Sequence, residues 1–335
     1  MINMTEWMQE VLEVSKRRVI PIMTHPGIEL IDETVRRAVC DGQVHFEAIR
    51  KLNESYPADA CTAIMDLTVE AEAFGAEIVF PEHEVPSVTK RLVSDYASVQ
   101  ALEVPGLDKG RVQEYLKANR LTAAAIPSKP VFAGCIGPYS LAGRLYDMTE
   151  LMMAAYTEPD TAVLLLEKCT EFLIRYCQAV KATGVNGVIM AEPAAGLLSN
   201  EDCALYSSRY VKQIVEQVQD DSFMIVLHNC GNTGHCTGAM LEAGAKGYHF
   251  GEKADILEAL QRCPSDVLVM GNLSPVELFK MSTPEQLGKA TQEMLDATSS
   301  FRNYVLSSGC DVPPGVSSES IEAFYKAIEI YNQKR

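Results

Sequence analysis

The sequence lacks the features that would place a protein in a membrane or on a nucleic acid. It has no run of about 18 or more apolar residues, which excludes an ordinary transmembrane helix. The N-terminal stretch MINMTEWMQEVLEVSKRR has no apolar core of the kind that a signal peptide needs, so we expect a cytoplasmic protein. Basic residues are in deficit, since 29 Lys and Arg face 45 Asp and Glu. The resulting net charge of −16 argues against nucleic-acid and membrane-surface partners.

Low-complexity linkers and internal repeats are also absent from the sequence. A chain of 335 residues could form two domains, but α/β barrels of this size are routinely one, so we predict a single domain over residues 1–335. In a cytoplasmic chain the ten cysteines indicate reduced thiols rather than a disulfide framework. Most lie in apolar or helical patterns and are expected to be small buried hydrophobes, among them Cys61, Cys169, Cys177 and Cys203.

Short apolar runs predict the strands of the fold. Each run is closed by Gly, Pro or a polar residue, which is typical of strands that are buried on both faces of a parallel sheet. We count eight such runs, at residues 18–23, 60–66, 130–137, 187–192, 223–230, 246–251, 267–272 and 303–310.

Helical patterns fill the intervals between these strands. Residues 157–184 combine an acidic start, an apolar rhythm of 3.6 residues and a terminal glycine. Residues 199–219 repeat this arrangement, and residues 237–245 predict a shorter helix. Eight strands alternating with helices favour a closed (β/α)₈ TIM barrel over an open doubly wound sheet. An N-terminal extension precedes the barrel, and an insertion at 67–129 is expected to add a small hairpin and helices over its mouth.

The C-terminal ends of the predicted strands carry polar, metal-capable side chains. In a TIM barrel these ends meet at one face, where the active site lies. The residues at the eight ends are His25, Asp66, Gly137, Glu192, His228 with Cys230, Glu252, Asn272 and Cys310.

His228, Cys230 and Cys310 predict a metal site at that face. His228 and Cys230 are two positions apart, so on an extended strand both side chains point to the same side. With Cys310 they give three ligands and one open position, as in catalytic zinc sites, and thiolates with imidazole favour zinc over magnesium or calcium. Two alternatives stay open: a local cluster in which His235 and Cys236 join His228 and Cys230, or no metal at all.

Five motifs together resemble a known family. The stretches LTVEAEAFG, CIGPYSLAGRLYDMTE, AEPAAGLLS, LHNCG and SSGCDVPP, within about residues 60–330, are similar to the uroporphyrinogen decarboxylase superfamily, and within it to the zinc-containing methyltransferases that work with corrinoid proteins. The resemblance implies a uroporphyrinogen-decarboxylase-like barrel and an HxC…C zinc motif at His228, Cys230 and Cys310. It also implies a methyl-corrinoid carried by a partner protein, and either a thiol methyl acceptor or an aryl methyl ether donor, with the direction open.

One departure weakens the decarboxylase alternative. Uroporphyrinogen decarboxylases carry an arginine-rich segment on the first strand that grips a polycarboxylate, but the matching stretch IPIMTHPGIEL has His25 and no arginine. Without arginines there, the negative charges of a polycarboxylate substrate would have too few positive charges to pair with. A sulfonate-bearing thiol would also favour a basic group near the mouth, where we find only Arg144 and Lys253. A metal-free binding barrel is a second alternative, and the oligomeric state is left open, a homo-oligomer included.

Further residues at the strand ends are assigned roles on the same reasoning. Glu192 is either a fourth zinc ligand that substrate displaces or a residue that bonds loop amides. Asp66 and Glu70 either orient the substrate or a ligating histidine, or cap the helix after the second strand. Asn272 either fixes a loop or contacts the substrate. The catalytic candidates are His25, Asp66 and Glu192, and the substrate-binding candidates are Glu70, Tyr139 and Asn272.

His249 lies inside a predicted strand and is interpreted as a core histidine whose ring nitrogens are satisfied by hydrogen bonds.

Overall fold

A parallel β-sheet forms the centre of the computed structural model, which describes residues 2–334. The strands are β1 Cys61–Thr62, β2 Ile78–Val79, β3 Ser87–Val88, β4 Val131–Ile136, β5 Gly187–Ala191, β6 Met224–Asn229, β7 Gly247–Phe250, β8 Leu268–Leu273 and β9 Tyr304–Ser308. Seven of them pair in parallel in the order β1-β4-β5-β6-β7-β8-β9, with helices between successive strands. This confirms the predicted α/β barrel-like fold.

The first predicted strand, residues 18–23, is not a regular strand, and that prediction was wrong in detail. The segment makes one parallel bridge to β9, between Val19 and Leu306, and Val19 accepts a backbone hydrogen bond from Asp59, just before β1. It therefore lies in the eighth position, between the two edge strands. Its ladder is incomplete because Pro21 has no N–H, and because Ile22 donates to the hydroxyl of Ser308 instead of to a backbone carbonyl.

The helices surround the sheet. The α-helices are α1 Met4–Glu13, α2 His25–Glu29, α3 Val35–Cys40, α4 Gly42–Ser55, α5 Val69–Ala73, α6 Tyr96–Ala101, α7 Val112–Ala125, α8 Pro138–Tyr146, α9 Met148–Thr157, α10 Pro159–Ala182, α11 Asn200–Cys203, α12 Arg209–Val218, α13 Thr237–Leu241, α14 Ile256–Arg262, α15 Pro284–Ala297 and α16 Ser318–Gln333. A 3₁₀ turn covers Pro193–Leu197, and π-helical turns cover Ala204–Ser208 and Pro275–Lys280. Within residues 2–334, no helix is both long and apolar enough to cross a bilayer.

The interior of the barrel is filled by side chains from alternate strand positions. Phe132, Ile189, Val226, Met270 and Val305 form one apolar cluster with others from the strands. The predicted N-terminal extension is helix α1, whose apolar side chains join this cluster; they are Met4, Trp7, Met8 and Val11. The extension therefore covers the end of the barrel that lies opposite the C-terminal ends of the strands.

The insertion at 67–129 contains the expected hairpin and helices. Strands β2 and β3 pair antiparallel, and α5, α6 and α7 accompany them. Arg111, just before α7, ties the insertion to the barrel: its guanidinium donates to the carboxylates of Asp66 and Glu72 at 2.5 and 2.6 Å. Helix α5 therefore sits close to the end of the strand that precedes it.

Candidate metal centre at the barrel mouth

Strand β6 directs His228 and Cys230 into the barrel. The side chains two and four positions before His228, those of Val226 and Met224, belong to the interior cluster. The alternation of a strand therefore turns His228 inward as well, and Cys230 follows two positions later, just past the end of β6. His228 is buried and Cys230 is partly exposed.

Cys310 reaches the same point from the end of β9. The Sγ of Cys310 lies 3.8 Å from Nε2 of His228. The donor atoms of His228, Cys230 and Cys310 all lie within 4.8 Å of one another. Gly309 allows this approach, because a Cβ at that position would lie 2.6 Å from the backbone nitrogen of Glu252. The structure thus brings the three predicted ligands together.

A second histidine holds the ring of His228. Nδ1 of His228 lies 2.8 Å from Nδ1 of His249, and Nε2 of His249 lies 2.8 Å from the hydroxyl of Ser307. Burial lowers the pKa of His249 well below its usual value, so its ring is neutral. When His228 donates its Nδ1 proton to His249, the lone pair on Nε2 of His228 faces the two thiols. His249 is thus satisfied by hydrogen bonds, as expected, but its partner is a candidate ligand.

The thiols of Cys230 and Cys310 interact with each other. Their hydrogen bond lowers the pKa of Cys230 and raises that of Cys310, and burial opposes the first shift and adds to the second. Cys230 is therefore the first of the pair to ionise. A cation placed among the three donor atoms would favour the ionised form of both thiols.

Glu192, after β5, is buried beside this group but is bonded to other residues. One carboxylate oxygen accepts the backbone N–H of Ser140 at 2.9 Å, and the other accepts the hydroxyl of Ser207 at 2.7 Å. Burial raises the pKa of Glu192 to about 7. Gly137 makes room for it, since a Cβ there would lie 2.1 Å from Cγ of Glu192. Glu192 does not belong to the three-residue donor group within the described residues.

His25 lies close to the chain that carries Cys310. Its Nε2 is 3.7 Å from a carboxylate oxygen of Asp311, the residue that follows Cys310. Thr24 donates to the same carboxylate from its backbone N–H at 3.0 Å and its hydroxyl at 2.6 Å. Nδ1 of His25 is buried and has no hydrogen-bond partner in the described part of the chain. The start of α2 is thereby fixed against the loop after β9.

Asp66 and Glu70 lie at the other side of the mouth. Asp66 accepts from the backbone N–H and the hydroxyl of Thr68 at 2.9 and 2.7 Å, and its second oxygen binds Arg111. Glu70, on α5, accepts the N–H of Ile136 at 3.1 Å through one oxygen, and the other has no partner among residues 2–334. Burial raises the pKa of Glu70 to about 8. Asp66 bonds Thr68, the N-cap residue of α5, and not the N–H groups of the first helical turn, so its role stays a prediction.

Tyr139 and Asn272, two predicted substrate contacts, are held inside the fold by packing and by hydrogen bonds. Tyr139 is fully buried on α8, and its hydroxyl has no hydrogen-bond partner within the described residues. The amide nitrogen of Asn272 donates to the carbonyls of Gly251 and Ala254 at 2.9 and 2.7 Å. This is the loop-fixing arrangement, and a substrate contact of either residue stays a prediction.

His235 and Cys236 point away from the three-residue group. Nε2 of His235 lies 3.0 Å from the carbonyl oxygen of Leu198, and Sγ of Cys236 lies 3.3 Å from the same oxygen. Both side chains thus fasten the loop after β6 to the segment after β5. The geometry favours the long-range group over the local cluster.

Sequence comparison identifies a family and several relatives. The uroporphyrinogen decarboxylase (URO-D) family model matches residues 27–331. The chain is 27% identical over 277 residues to the methylcobamide:CoM methyltransferase MtbA of Methanosarcina acetivorans, which covers 82% of this chain and 80% of that one. It is 24% identical over 290 residues to the uroporphyrinogen decarboxylase of Xylella fastidiosa, with coverage of 82% and 80%.

Solved structures share the fold. A methyltransferase from Methanosarcina mazei superposes with a TM-score of 0.89 at 22% identity, covering 99% of each chain. A B12-independent methionine synthase from Shewanella superposes with a TM-score of 0.58 at 14% identity, covering 96% of this chain and 98% of that one. These likenesses establish the architecture on which the site is built.

Proposed function

The chain belongs to the uroporphyrinogen decarboxylase family, and within that family we propose that it is a zinc-dependent methyltransferase. Its methyl group moves between the cobalt of a corrinoid, carried by a partner protein, and a small-molecule substrate. The observation that carries this proposal is the group of His228, Cys230 and Cys310, whose donor atoms lie within 4.8 Å of one another at the barrel mouth. The similarity to MtbA supports the methyl-transfer chemistry and the corrinoid partner.

The three donors fit zinc. Zn–S bonds of about 2.3 Å and Zn–N bonds of about 2.0 Å at tetrahedral angles hold ligand atoms roughly 3.5–3.8 Å apart. The observed 3.8 Å between Cys310 Sγ and His228 Nε2 agrees with this spacing. His249 on the other ring nitrogen of His228 supplies the supporting hydrogen bond that metal-ligating histidines usually have. Three protein ligands leave one position for a substrate.

In the proposed reaction the metal and the side chains of the protein have different roles. Zinc, when bound, supplies Lewis acidity that lowers the pKa of a substrate thiol or polarises an ether oxygen. His249 and Ser307 fix the ring of His228, and Cys230 and Cys310 are partly exposed, so a substrate can reach their sulfur atoms from the mouth. Glu192 lies on the neighbouring strand end, with a pKa raised to about 7, and can hold a proton there near neutral pH.

Both directions of transfer remain in the proposal. Toward a thiol, the substrate would lose its S–H proton, and the sulfur–methyl bond would form as the cobalt–methyl bond breaks, with the bonding pair left on cobalt. From an aryl methyl ether, the methyl group would pass to cobalt(I), which supplies the pair for the new bond, and the ether oxygen would keep its own pair and take up a proton. Either reaction needs the corrinoid of the partner protein to approach the C-terminal ends of the strands, where His228, Cys230 and Cys310 lie.

A uroporphyrinogen-decarboxylase activity is the weaker alternative. Arg17 and Arg18 lie at the N-terminal end of the first-strand segment, away from its end at the mouth. Arg17 donates to the carbonyls of Thr298 and Phe301, and Arg18 pairs with Asp59 at 2.9 Å. Neither guanidinium serves a polycarboxylate at the mouth, where the segment presents His25 instead.

Methyl-transfer assays test the proposal. The zinc-loaded protein is incubated with methylcobalamin and a series of thiols, and separately with cob(I)alamin and a series of methoxyaromatics. We expect cobalamin spectra to change in at least one direction, and the rate to fall by more than 100-fold in Cys230→Ala and Cys310→Ala, because each loses a ligand, but not in Cys236→Ala. No transfer in either direction, with the decarboxylase reaction present instead, would overturn the proposal.

A further inference from the structure

A cavity of about 350 Å³ opens at the barrel mouth, next to the ends of β4 and β5. Its wall combines apolar side chains with charged ones, among which Arg144 is half-buried and Lys90, Arg91 and Asp147 are exposed. The residues that define it are Leu67, Ile136, Ser140, Arg144, Met148 and Pro193. The volume lies at the lower end of the range for small-molecule sites, which is roughly 300–1,000 Å³.

Hydrogen bonds connect this cavity to the candidate ligands. Ser140 and Arg144 lie one helical turn apart on α8, and the backbone N–H of Ser140 donates to Glu192 at 2.9 Å. Pro193, in the cavity wall, follows Glu192 directly, and the backbone N–H of Glu192 donates to the carbonyl of His228 at 2.8 Å. A molecule in the cavity therefore lies against the ends of β4 and β5, and β5 is the neighbour of β6, which carries His228.

Arg144 stands out in the cavity wall because its charge is not paired within the described part of the chain. Its guanidinium makes no hydrogen bond or ion pair with any residue from 2 to 334. The other cations of the cavity wall are paired, since Lys90 lies 2.7 Å from Glu77 and Arg91 lies 3.9 Å from Glu150. The carboxylate of Asp66 exerts an attraction on Arg144 but is bonded to Arg111. Arg144 is thus an uncompensated cation.

An unpaired, half-buried arginine is costly to keep. Burial lowers the pKa of Arg144, yet an arginine remains protonated in proteins, so the charge stays and needs a counter-ion. Its planar fork of donors matches carboxylate and sulfonate groups in a two-point arrangement. The apolar wall of Leu67, Ile136 and Met148 suits a short hydrocarbon body attached to such a group.

We propose that Arg144 binds an anionic oxygen group, a carboxylate or a sulfonate, on the small molecule that gains or loses the methyl group. The anion lies on the guanidinium and the reacting thiol or ether points from the cavity toward His228, Cys230 and Cys310. Arg144 then sets substrate specificity without touching the reacting atoms. This inference rests on the proposed function for the identity of the bound molecule as the methyl substrate.

Matched ligands test the role of Arg144. The anionic thiols are 2-mercaptoethanesulfonate and 3-mercaptopropionate, and the neutral match is 2-mercaptoethanol; 4-methoxybenzoate and 4-methoxybenzyl alcohol form the same contrast for ethers. Binding is measured by calorimetry and methyl transfer by the cobalamin spectrum. Arg144→Gln should raise the Kd and KM for at least one anionic ligand by about 10- to 100-fold, because a charged hydrogen bond is lost, and change those of its neutral match by less than about twofold.

Two more variants complete the test. Arg144→Lys keeps the charge but not the fork, and should fall between wild type and Arg144→Gln. Arg50→Gln removes an exposed arginine on α4 that pairs with Glu54, and should match wild type. Equal weakening of anionic and neutral ligands in Arg144→Gln, or no preference for the anion in wild type, would overturn the inference. Anion binding that depends on Arg144 without any methyl transfer would uphold it and reject the proposed function.

Discussion

His249 shows how one hydrogen bond can prepare a metal ligand. It lies between His228 and Ser307 with 2.8 Å contacts on both ring nitrogens, so it fixes the plane of the His228 ring. Loss of such a partner typically costs about 10–100-fold in metal affinity. We expect His249→Ala to weaken zinc binding by about that factor in a chelator competition, and His235→Ala, which removes an exposed ring, to leave it unchanged.

The thermal melting of the zinc-free His249→Ala protein serves as its control. An affinity equal to that of wild type, in a variant with an unchanged melting temperature, would show that His249 is a packing residue only.

Zinc content distinguishes the three interpretations of the cysteines. We expect about one zinc per chain, because three ligands bind one ion. Cys310→Ala should lose most of it and Cys236→Ala should keep it, since the Sγ of Cys310 lies 3.8 Å from His228 whereas that of Cys236 contacts the carbonyl of Leu198. Elemental analysis of the purified proteins gives the result. The opposite pattern would move the site to the local cluster, and a metal-free wild type that stays empty in added zinc would favour the binding barrel.

Glu192 lies outside the three-residue donor group, so it would have to move to become a zinc ligand. Its carboxylate accepts from Ser140 and Ser207, and these bonds hold it in its present place. We expect Glu192→Gln to keep most of the zinc, which the other three ligands hold. The X-ray absorption spectrum of the resting protein decides its role, because loss of a carboxylate ligand changes the zinc environment. An unchanged spectrum would leave Glu192 as a pocket residue.

The spacing of residues could predict part of this site. His228 and Cys230 were identified because strand periodicity puts positions two apart on one side, and Cys310 because it ends another strand. The contact between His228 and His249 could not be predicted, because it depends on the register of β6 against β7, which pairs these two residues. Arg111 was missed because its position in an insertion gives no sign that it reaches Asp66.

At the scale of elements, helix α5 carries a buried acid whose protonation should affect stability. The pKa of Glu70 is raised from 4.5 to about 8 by burial, so the folded protein binds a proton there that the unfolded chain releases above pH 4.5. The folded state then binds more protons than the unfolded state, and the free energy of unfolding falls as pH rises between about 4.5 and 8. One such group changes the free energy of unfolding by at most about 1.4 kcal/mol per pH unit.

Glu70→Gln should remove this component of the pH dependence, because glutamine cannot ionise. Urea unfolding of the two proteins from pH 5 to pH 9 measures it. The Gln variant is expected to gain stability relative to wild type with each unit of rising pH, with Glu82→Gln, at an exposed carboxylate, as the control. Parallel curves for Glu70→Gln and wild type would mean that Glu70 is ionised in the folded protein.

The π-helical turn at Ala204–Ser208 is a feature that the periodicity of apolar residues does not predict. Residues 199–219 were predicted as one helix, but the structure has α11, the π-helical turn and α12. The wider turn lets Ser207 point at Glu192, to which its hydroxyl donates. A rhythm of 3.6 residues detects the helix but not one wider turn, and such turns often occur at functional sites. The long helix predicted at 157–184 is confirmed as α10, because its pattern is uninterrupted.

At the scale of the molecule, the alternation of strands and helices in the sequence predicted the barrel. The prediction was least accurate at the eighth strand position, which residues 18–23 occupy. A strand is predicted from the pattern of its side chains, but a regular ladder depends on backbone hydrogen bonds. Here Pro21 has no N–H to donate, and the hydroxyl of Ser308 takes the place of a backbone partner. The region around the mouth was predicted only as an insertion, because its contacts join parts of the chain that are far apart. The single-domain organisation stays a prediction.

The rim of the barrel mouth exposes apolar side chains that a corrinoid protein could cover. Tyr156 on α9 is 72% exposed, Leu197 after β5 is 59% exposed, and Leu205 in the π-helical turn is 46% exposed. The hydroxyl of Tyr156 donates to Asp202 at 2.6 Å, which holds α9 against the segment after β5. Exposed apolar side chains grouped in one region typically mark an interaction surface. The opposite end of the barrel is covered by α1, so a docked corrinoid would have to reach the proposed metal site from the mouth.

Substitutions at this rim should separate docking from chemistry. Tyr156→Asp and Leu197→Asp should each lower kcat/KM with a methylated corrinoid protein by about tenfold or more, because a buried contact is replaced by a charge. Free methylcobalamin needs no docking surface, so its rate should change by less than about twofold. Val14→Asp, at an exposed apolar residue after α1, should affect neither donor. Equal losses with both donors would mean that these side chains support the site itself, and the partner would then have to approach the mouth over the loops after β7 and β8.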